Sequence, residues 1–490
     1  MNTLWNAISF TIIVCLFVSP AYAQDNHYAW MQFGSRNGIL NNANLSQFED
    51  QSAVIVNPAT LSEATQSSFN FSTNAVGFNN IKFENGLGQG FTVKNSNLTI
   101  LPSLAAGVIK PRKSEKDLVI GYALHTNNTD LLNFSDRVET KIDLINETES
   151  PGEENYLAQY NITTNLDEIA IIGGIGWNLT PNLSLGISQN FLYRTQEYAQ
   201  KFSAYAIPDK GSGASVDLTG TNYDYYTRYS KLITYTKIGL HTKLKEWDLG
   251  LAISTPTLGI MGTGYILADL SLSNIRLDED LNVPRKNYLA NGEFDKIKAQ
   301  YKYPVNAAFG ISRPFGKVRM YGSVSWFGKI KTYNILDPGD AAFLQPPSDE
   351  NVLYTNKVLR LWSTNQTVIN WSVAADWTIR DDYHLLFSFR TDEYFSDFIP
   401  EQDGFNPAIK QWDNYHFTIG TQRKFGWSEW IVGLRYNYAK RDDYPQPISF
   451  SDPSEDNFFR GETATGTIKS TGFQLMLSYT FTFGNTPKEN

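Results

Sequence analysis

Beyond residue 23 this chain of 490 residues has no cysteine, because its single one is Cys15. That absence excludes disulfides, thiolate metal sites and a cysteine nucleophile from the rest of the chain. Histidine is scarce too: His27, His125, His241, His384 and His416 are the whole set, and no two stand at a metal-ligand spacing such as i, i+4. The Gly-x-Ser-x-Gly pattern of a nucleophile elbow is missing, and the nearest Gly/Ser stretch, Gly211 to Ser215, fails its spacing. The chain therefore reads as a non-enzyme without cofactor or metal. Basic charge is in deficit, 41 Lys and Arg against 50 Asp and Glu for a net −9, which argues against nucleic acid as a partner. After residue 23 there is also no apolar run long enough for a membrane-spanning helix.

What the chain does have in quantity is aromatic side chains, 11 Trp, 27 Tyr and 30 Phe. Many aromatics without a spanning helix point to a transmembrane β-barrel, whose girdles of rings sit at both lipid interfaces. Residues 1–23 read as a secretory signal, with an apolar stretch from Ile8 to Val18, a break at Pro20 and a small-x-small site at Ala21-Tyr22-Ala23.

Fourteen strands can be placed between residues 66 and 483. Period-2 alternation is clearest late in the chain. In the last strand Phe473, Leu475, Leu477, Tyr479, Phe481 and Phe483 alternate with Gln474, Met476, Ser478, Thr480 and Thr482. Ile369, Trp371, Val373, Ala375 and Trp377 alternate in the same way with Asn370, Ser372, Ala374 and Asp376. The connections sort by length, short ones such as 180–182, 244–246, 314–316 and 380–382 alternating with long ones such as 126–160, 265–299 and 333–366. Such sorting fits an even-stranded antiparallel barrel with both termini on the short-turn, periplasmic side. A soluble secreted β-protein has no reason for it.

Arg194, Arg319, Arg390 and Arg435 fall on inward registers, as do Asp248, Asp376 and Asp392. Two readings of this luminal charge stand open: a ladder that guides a carboxylate head, or ion pairs that satisfy one another. His384 and His416 also alternate inward and read as polar lining. The acidic stretches 278–280 and 452–457 read as solvated loops, with a divalent cation as the alternative.

Ahead of the first strand lies Gly34 to Leu61, GSRNGILNNANLSQFEDQSAVIVNPATL, which keeps neither period and carries Gly34, Gly38 and Asn57-Pro58-Ala59. Pro58 fixes its own φ and holds Asn57 out of the α region, so the run Ala53 to Val56 must stop and turn there. Asn57 can close such a turn through neighbouring backbone groups. A segment of this kind before a closed barrel is expected to plug it.

At these residues the chain resembles the FadL/TodX family of outer-membrane transporters of hydrophobic compounds. Gly34-Ser35-Arg36, Gly38-Ile39 and Ala53 to Leu61 match the family's Gly-x-Arg…Gly-[Met/Ile] and Ala-x-x-x-Asn-Pro-Ala-x-Leu segments. Thr60 departs from the family's Gly, and Asn41-Asn42 stand where it is rich in Gly and Ala. PorV-like barrels of secretion systems share a similar N-terminal pattern.

The resemblance implies a 14-stranded outer-membrane barrel for passive uptake of a hydrophobic ligand such as a long-chain fatty acid. Asn57, Pro58, Ala59, Gly34 and Arg36 would form the gate. The alternative is a non-transporting barrel that docks partners in secretion or surface attachment. The expected organisation is signal 1–23, plug 24–65, barrel 66–483 and tail 484–490. Outer-membrane lipid would surround the barrel. The closing FQLMLSYTFTF resembles the signal by which barrel assembly machinery recognises its clients.

Overall fold

The computed structural model describes residues 26–28, 33–111, 118–145, 150, 152–207, 218–276, 285–345, 354–396 and 409–483. The expected signal and tail, the Gly211 to Ser215 stretch and the 278–280 acidic segment lie outside these residues. Fourteen antiparallel strands close on themselves. The first six are β1 Ser67–Glu84, β2 Val93–Ile109, β3 Val119–Ile142, β4 Glu154–Thr180, β5 Leu183–Ile207 and β6 Thr219–Leu244. Four interrupted strands follow: β7 (Trp247–Ser254, Leu258–Ile275), β8 (Lys286–Lys298, Asn306–Phe315), β9 (Val318–Phe327, Ile330–Leu336) and β10 (Leu361–Asn365, Val368–Arg380). The last four are β11 Tyr383–Asp392, β12 Asn414–Phe425, β13 Ser428–Pro445 and β14 Thr465–Phe483.

Closure is made by β14 on β1, from Ser67 opposite Phe483 to Glu84 opposite Thr467. The breaks in β7 and β8 contain Pro256 and Pro304, neither of which has an N–H to give the ladder. The two strands nevertheless stay paired on both sides of the break.

The lower half of the wall, toward the short turns, behaves as a lipid-facing barrel should. Ile369, Trp371, Val373 and Trp377 point outward and are 44–50% exposed, while Asn370, Ser372 and Asp376 on the same strand are buried. Exposed apolar rows of this kind on a closed wall can only be satisfied by lipid.

Above that band the strands continue well beyond the expected ends. Residues 126–142 and 154–160 are strand, although they read as loop, and so is most of 265–299. The reason is that polarity inverts while the period holds. On β5 the outward positions change from Phe191 and Tyr193 to Glu197 and Lys201, and the inward ones from Ser188 and Asn190 to Tyr198 and Phe202. Outside is now water, so the apolar residues turn inward. Tyr156, Tyr160, Tyr198, Phe202 and Tyr225 pack there with Phe343, Trp412, Phe458 and Phe459 from the long connections.

Residues 33–64 form no strand. They make two single helical turns, α1 Arg36–Ile39 and α2 Ala53–Val56, and a 3-10 segment Pro58–Glu63. All three are buried; α1 lies against β11 to β13, and the other two against β3 to β6.

Candidate functional site

Asn57 holds the N-terminal segment to itself and to the wall at once. Its Oδ1 accepts the Ala59 N–H at 3.2 Å, which caps the 3-10 turn that Pro58 begins. Its Nδ2 donates to the carbonyl of Leu45 at 2.9 Å within the segment and to that of Leu240 on β6 at 3.1 Å. Gly186 and Gly239, paired across β5 and β6, lie directly beneath. A methyl group on Gly239 would overlap the Asn57 side chain, and one on Gly186 would overlap the Pro58-Ala59 peptide. The wall is bare of side chains where Asn57-Pro58-Ala59 rests.

On the opposite side Arg36 reaches the wall. It ion-pairs with Glu49 at 2.6 Å within the segment and with Asp376 on β10, and it donates to Gln422 on β12. Asp376 also meets His384 Nδ1 at 2.8 Å. Gly34 takes φ +94°, and a side chain there would run into Ser52 and Asp50. Asp50 in turn accepts from the backbone of Asn37 and Ser52, at 2.8 Å each. Asn41, itself at φ 55°, donates to Ser388 and Thr418 on β11 and β12. The short αR and αL steps that defeat any period are thus held by side-chain bonds rather than by a ladder.

This segment separates two cavities. Toward the short turns lies a polar space of about 520 Å³ bordered by Arg36, Glu49, Arg319, Asp376, His384 and Glu429. Toward the loops lies a smaller one of about 180 Å³, lined by Tyr28, Phe33, Leu45, Val56 and Leu192 and by Arg390. Lys237 also borders it while donating to the Ile55 carbonyl.

The four inward arginines have separate fates. Arg194 is fully buried, 3.2 Å from Glu168, 3.1 Å from the Tyr229 hydroxyl and stacked over the Tyr301 ring. Arg319 pairs with Asp248 at 2.8 Å. Arg435 donates to His416 Nδ1 at 2.9 Å and to Gln474 at 3.2 Å. Arg390, only 3% exposed, has no hydrogen-bond partner at any of its three nitrogens among the described residues. The nearby carboxylate of Asp392 is instead engaged by His27 and His416, at 3.5 and 3.4 Å.

The backbone ladder of the wall is incomplete at one seam. β2 pairs with β3 only from Leu104 opposite His125 to Ile109 opposite Ile120. Above this the backbone ladder parts, residues 93–102 pairing with β1 and residues 126–142 with β4, and only side chains cross the gap: Asn95 Nδ2 donates to the Asn133 carbonyl at 2.7 Å, Asn97 Nδ2 to the Leu131 carbonyl, and Thr126 Oγ1 to the Pro102 carbonyl at 2.9 Å. Register shifts at Asn74–Gly77 and Thr126–Asn128 flank the parting, and Pro102 stands at its edge. A cavity of about 80 Å³ occupies the seam, bordered by Asn97 and Thr99 on one side, Thr129 and Leu131 on the other, and Lys410 and Arg435 within. Leu98, Ile100 and Leu131 flank it on the outer face, each about half exposed or more. Pro102 was the only local signal of this parting, and neither Gly186 nor Gly239 stands out in the sequence.

No family model and no curated protein matches the chain. Solved structures do. A Pseudomonas aeruginosa FadL homologue aligns over 95% of this chain and 100% of its own at 13% identity, with a TM-score of 0.53. The toluene transporter TodX of P. putida covers 93% and 99% at 13% identity and TM-score 0.54. The Ralstonia pickettii toluene transporter TbuX covers 92% and 99% at 11% identity and TM-score 0.52. This chain resembles the FadL and TodX channels in fold, as a closed 14-stranded antiparallel β-barrel.

Proposed function

We propose that the protein is an outer-membrane channel of a Gram-negative bacterium for passive uptake of hydrophobic compounds, with residues 34–63 as its plug. The observation that carries this reading is the β2–β3 seam. A barrel that only docks partners gains nothing from a parting in its wall, whereas a channel for apolar molecules gains a lateral port. Fold likeness to hydrocarbon transporters and the apolar outer band support the same placement. The residues within the barrel contribute binding and blockage, and none is asked to make or break a bond.

Arg390 supports a finer assignment, a ligand with an apolar body and a carboxylate head such as a long-chain fatty acid. A buried guanidinium without a partner is costly, and an incoming carboxylate would satisfy it bidentately. The apolar lining of the same cavity suits a hydrocarbon chain. A hydrogen bond to a charged group is worth about 1.5–3 kcal/mol, so Arg390→Met should weaken binding of a long-chain fatty acid by roughly 10- to 150-fold. A neutral aromatic hydrocarbon should bind the variant as it binds the parent. Fluorescence displacement on the purified barrel in detergent measures both, and equal loss for the two ligands would refute the carboxylate assignment.

A further inference from the structure

Three groups that are far apart in sequence converge at the short-turn mouth: Glu63, the last residue of the 3-10 segment, His241 on β6 and Asp248 on β7. One ligand atom from each lies within 4.8 Å of the others. His241 Nε2 stands 4.0 Å from Glu63 Oε1 and 3.8 Å from Asp248 Oδ1, too far for a hydrogen bond to either. His241 is only 2% exposed, and its Nε2 has no hydrogen-bond partner among the described residues. A buried imidazole nitrogen aimed between two carboxylates without bonding either is left unsatisfied.

The carboxylates are themselves held in place. Glu63 Oε2 accepts the Phe48 N–H at 3.0 Å, and Asp248 Oδ2 receives Arg319 at 2.8 Å. Each thereby turns its other oxygen toward His241. Lys243 Nζ meets Glu63 Oε1 at 2.5 Å, but its side chain is about half exposed and can leave to solvent.

We propose that Glu63, His241 and Asp248 form a divalent-cation site, suited to zinc, that latches the end of the N-terminal segment to the β6–β7 hairpin. One imidazole nitrogen and two carboxylate oxygens with a fourth position for water is a donor set zinc accepts. Bonds of 2.0–2.2 Å give ligand separations of about 3.4 Å in a tetrahedron, so His241 needs to approach each carboxylate by about 0.5 Å and the two carboxylates, within 4.8 Å of each other, need to close by at most about 1.4 Å. Because Glu63 belongs to the segment and the other two to the wall, occupancy holds the segment seated. Lys243 is the built-in competitor, occupying the Glu63 oxygen when the ion is away.

Zinc titration of the purified, full-length, untagged barrel in detergent tests the site, with a chromophoric chelator as competitor. One equivalent is expected, weakened at least tenfold by His241→Ala and by Glu63→Gln, tightened by Lys243→Gln and unchanged by His384→Ala. Zinc should also slow amide hydrogen exchange in residues 58–64 of the parent but not of His241→Ala. Heat-dependent gel mobility confirms that each variant is an assembled barrel. Absence of a stoichiometric site in the parent, or binding that His241→Ala leaves intact, would overturn the proposal. Binding without any change in exchange at residues 58–64 would overturn the latch.

Discussion

If the N-terminal segment is seated by bare wall, adding a single methyl group to that wall should unseat it. Gly186 and Gly239 are the positions to change, because an alanine Cβ there meets the Pro58-Ala59 peptide and the Asn57 side chain. Overpacking a filled interior costs about 1–3 kcal/mol, and here one obstacle is backbone, which cannot rotate away. The substitution otherwise favours the strand, since Gly in a strand interior is worse than Ala by about 0.5–1 kcal/mol. The penalty therefore falls on the seating and not on the wall. A net shift of 1–2 kcal/mol raises the unseated population roughly 5- to 30-fold. Gly173→Ala is the control, as a Cβ there has nothing within 4 Å. Liposome swelling with a small neutral sugar reads the open lumen, and maleimide reactivity of a cysteine placed at the buried Ser62 reads the segment directly. If Gly239→Ala and Gly186→Ala leak and label no faster than Gly173→Ala, the segment is not held by this contact and the argument for a gate at Asn57 fails.

Two other expectations follow from the wall. A cysteine replacing Thr463 in the β13–β14 connection should react with an impermeant thiol reagent on intact cells, and one replacing Glu246 in the β6–β7 turn should not; the reverse pattern would invert the topology. Cysteines at Asn97 and Thr129, joined by a bifunctional maleimide, should bridge the seam and reduce uptake of a hydrophobic ligand at least tenfold while leaving heat-dependent gel mobility unchanged; undiminished uptake would remove the seam from the route.

The lower half of the barrel was legible because lipid imposes one rule on it: every second residue must be apolar, as Phe473, Leu475 and Leu477 are. Fourteen strands and their short turns follow from that rule. It does not hold in the upper half, where residues such as Glu197 and Lys201 face water and Tyr198 and Phe202 fill the interior. Strand persists there because neighbours supply the ladder, and no local signal marks where lipid ends. Asn57-Pro58-Ala59 was legible because proline acts on its own neighbours. Arg390 lies buried on β11, but that its nitrogens find no hydrogen-bond partner among the described residues depends on Asp392 being taken by His27 and His416, which no spacing reveals. The grouping of Glu63 with His241 and Asp248 depends equally on closure of the whole barrel.

The two regimes of polarity bear on how an apolar molecule would cross. On the proposed reading it arrives from the loop side, where the interior is packed with aromatic rings, and passes into the cavity at Arg390. Continuing along the axis would take it past the Arg36–Asp376 pair into the polar space below. Each methylene kept out of such water is worth about 0.8 kcal/mol, so a long alkyl chain strongly disfavours that course. Sideways lies the seam, flanked outside by the exposed side chains of Leu98, Ile100 and Leu131. A carboxylate head leaving Arg390 in that direction meets Arg435 and Lys410 at the inner side of the seam, where it has to compete with Asp130, 2.6 Å from Lys410, and with His416 and Gln474 on Arg435. On that proposed reading, residues 34–63 would keep the axial path closed, and selectivity for apolar molecules would reside at the seam.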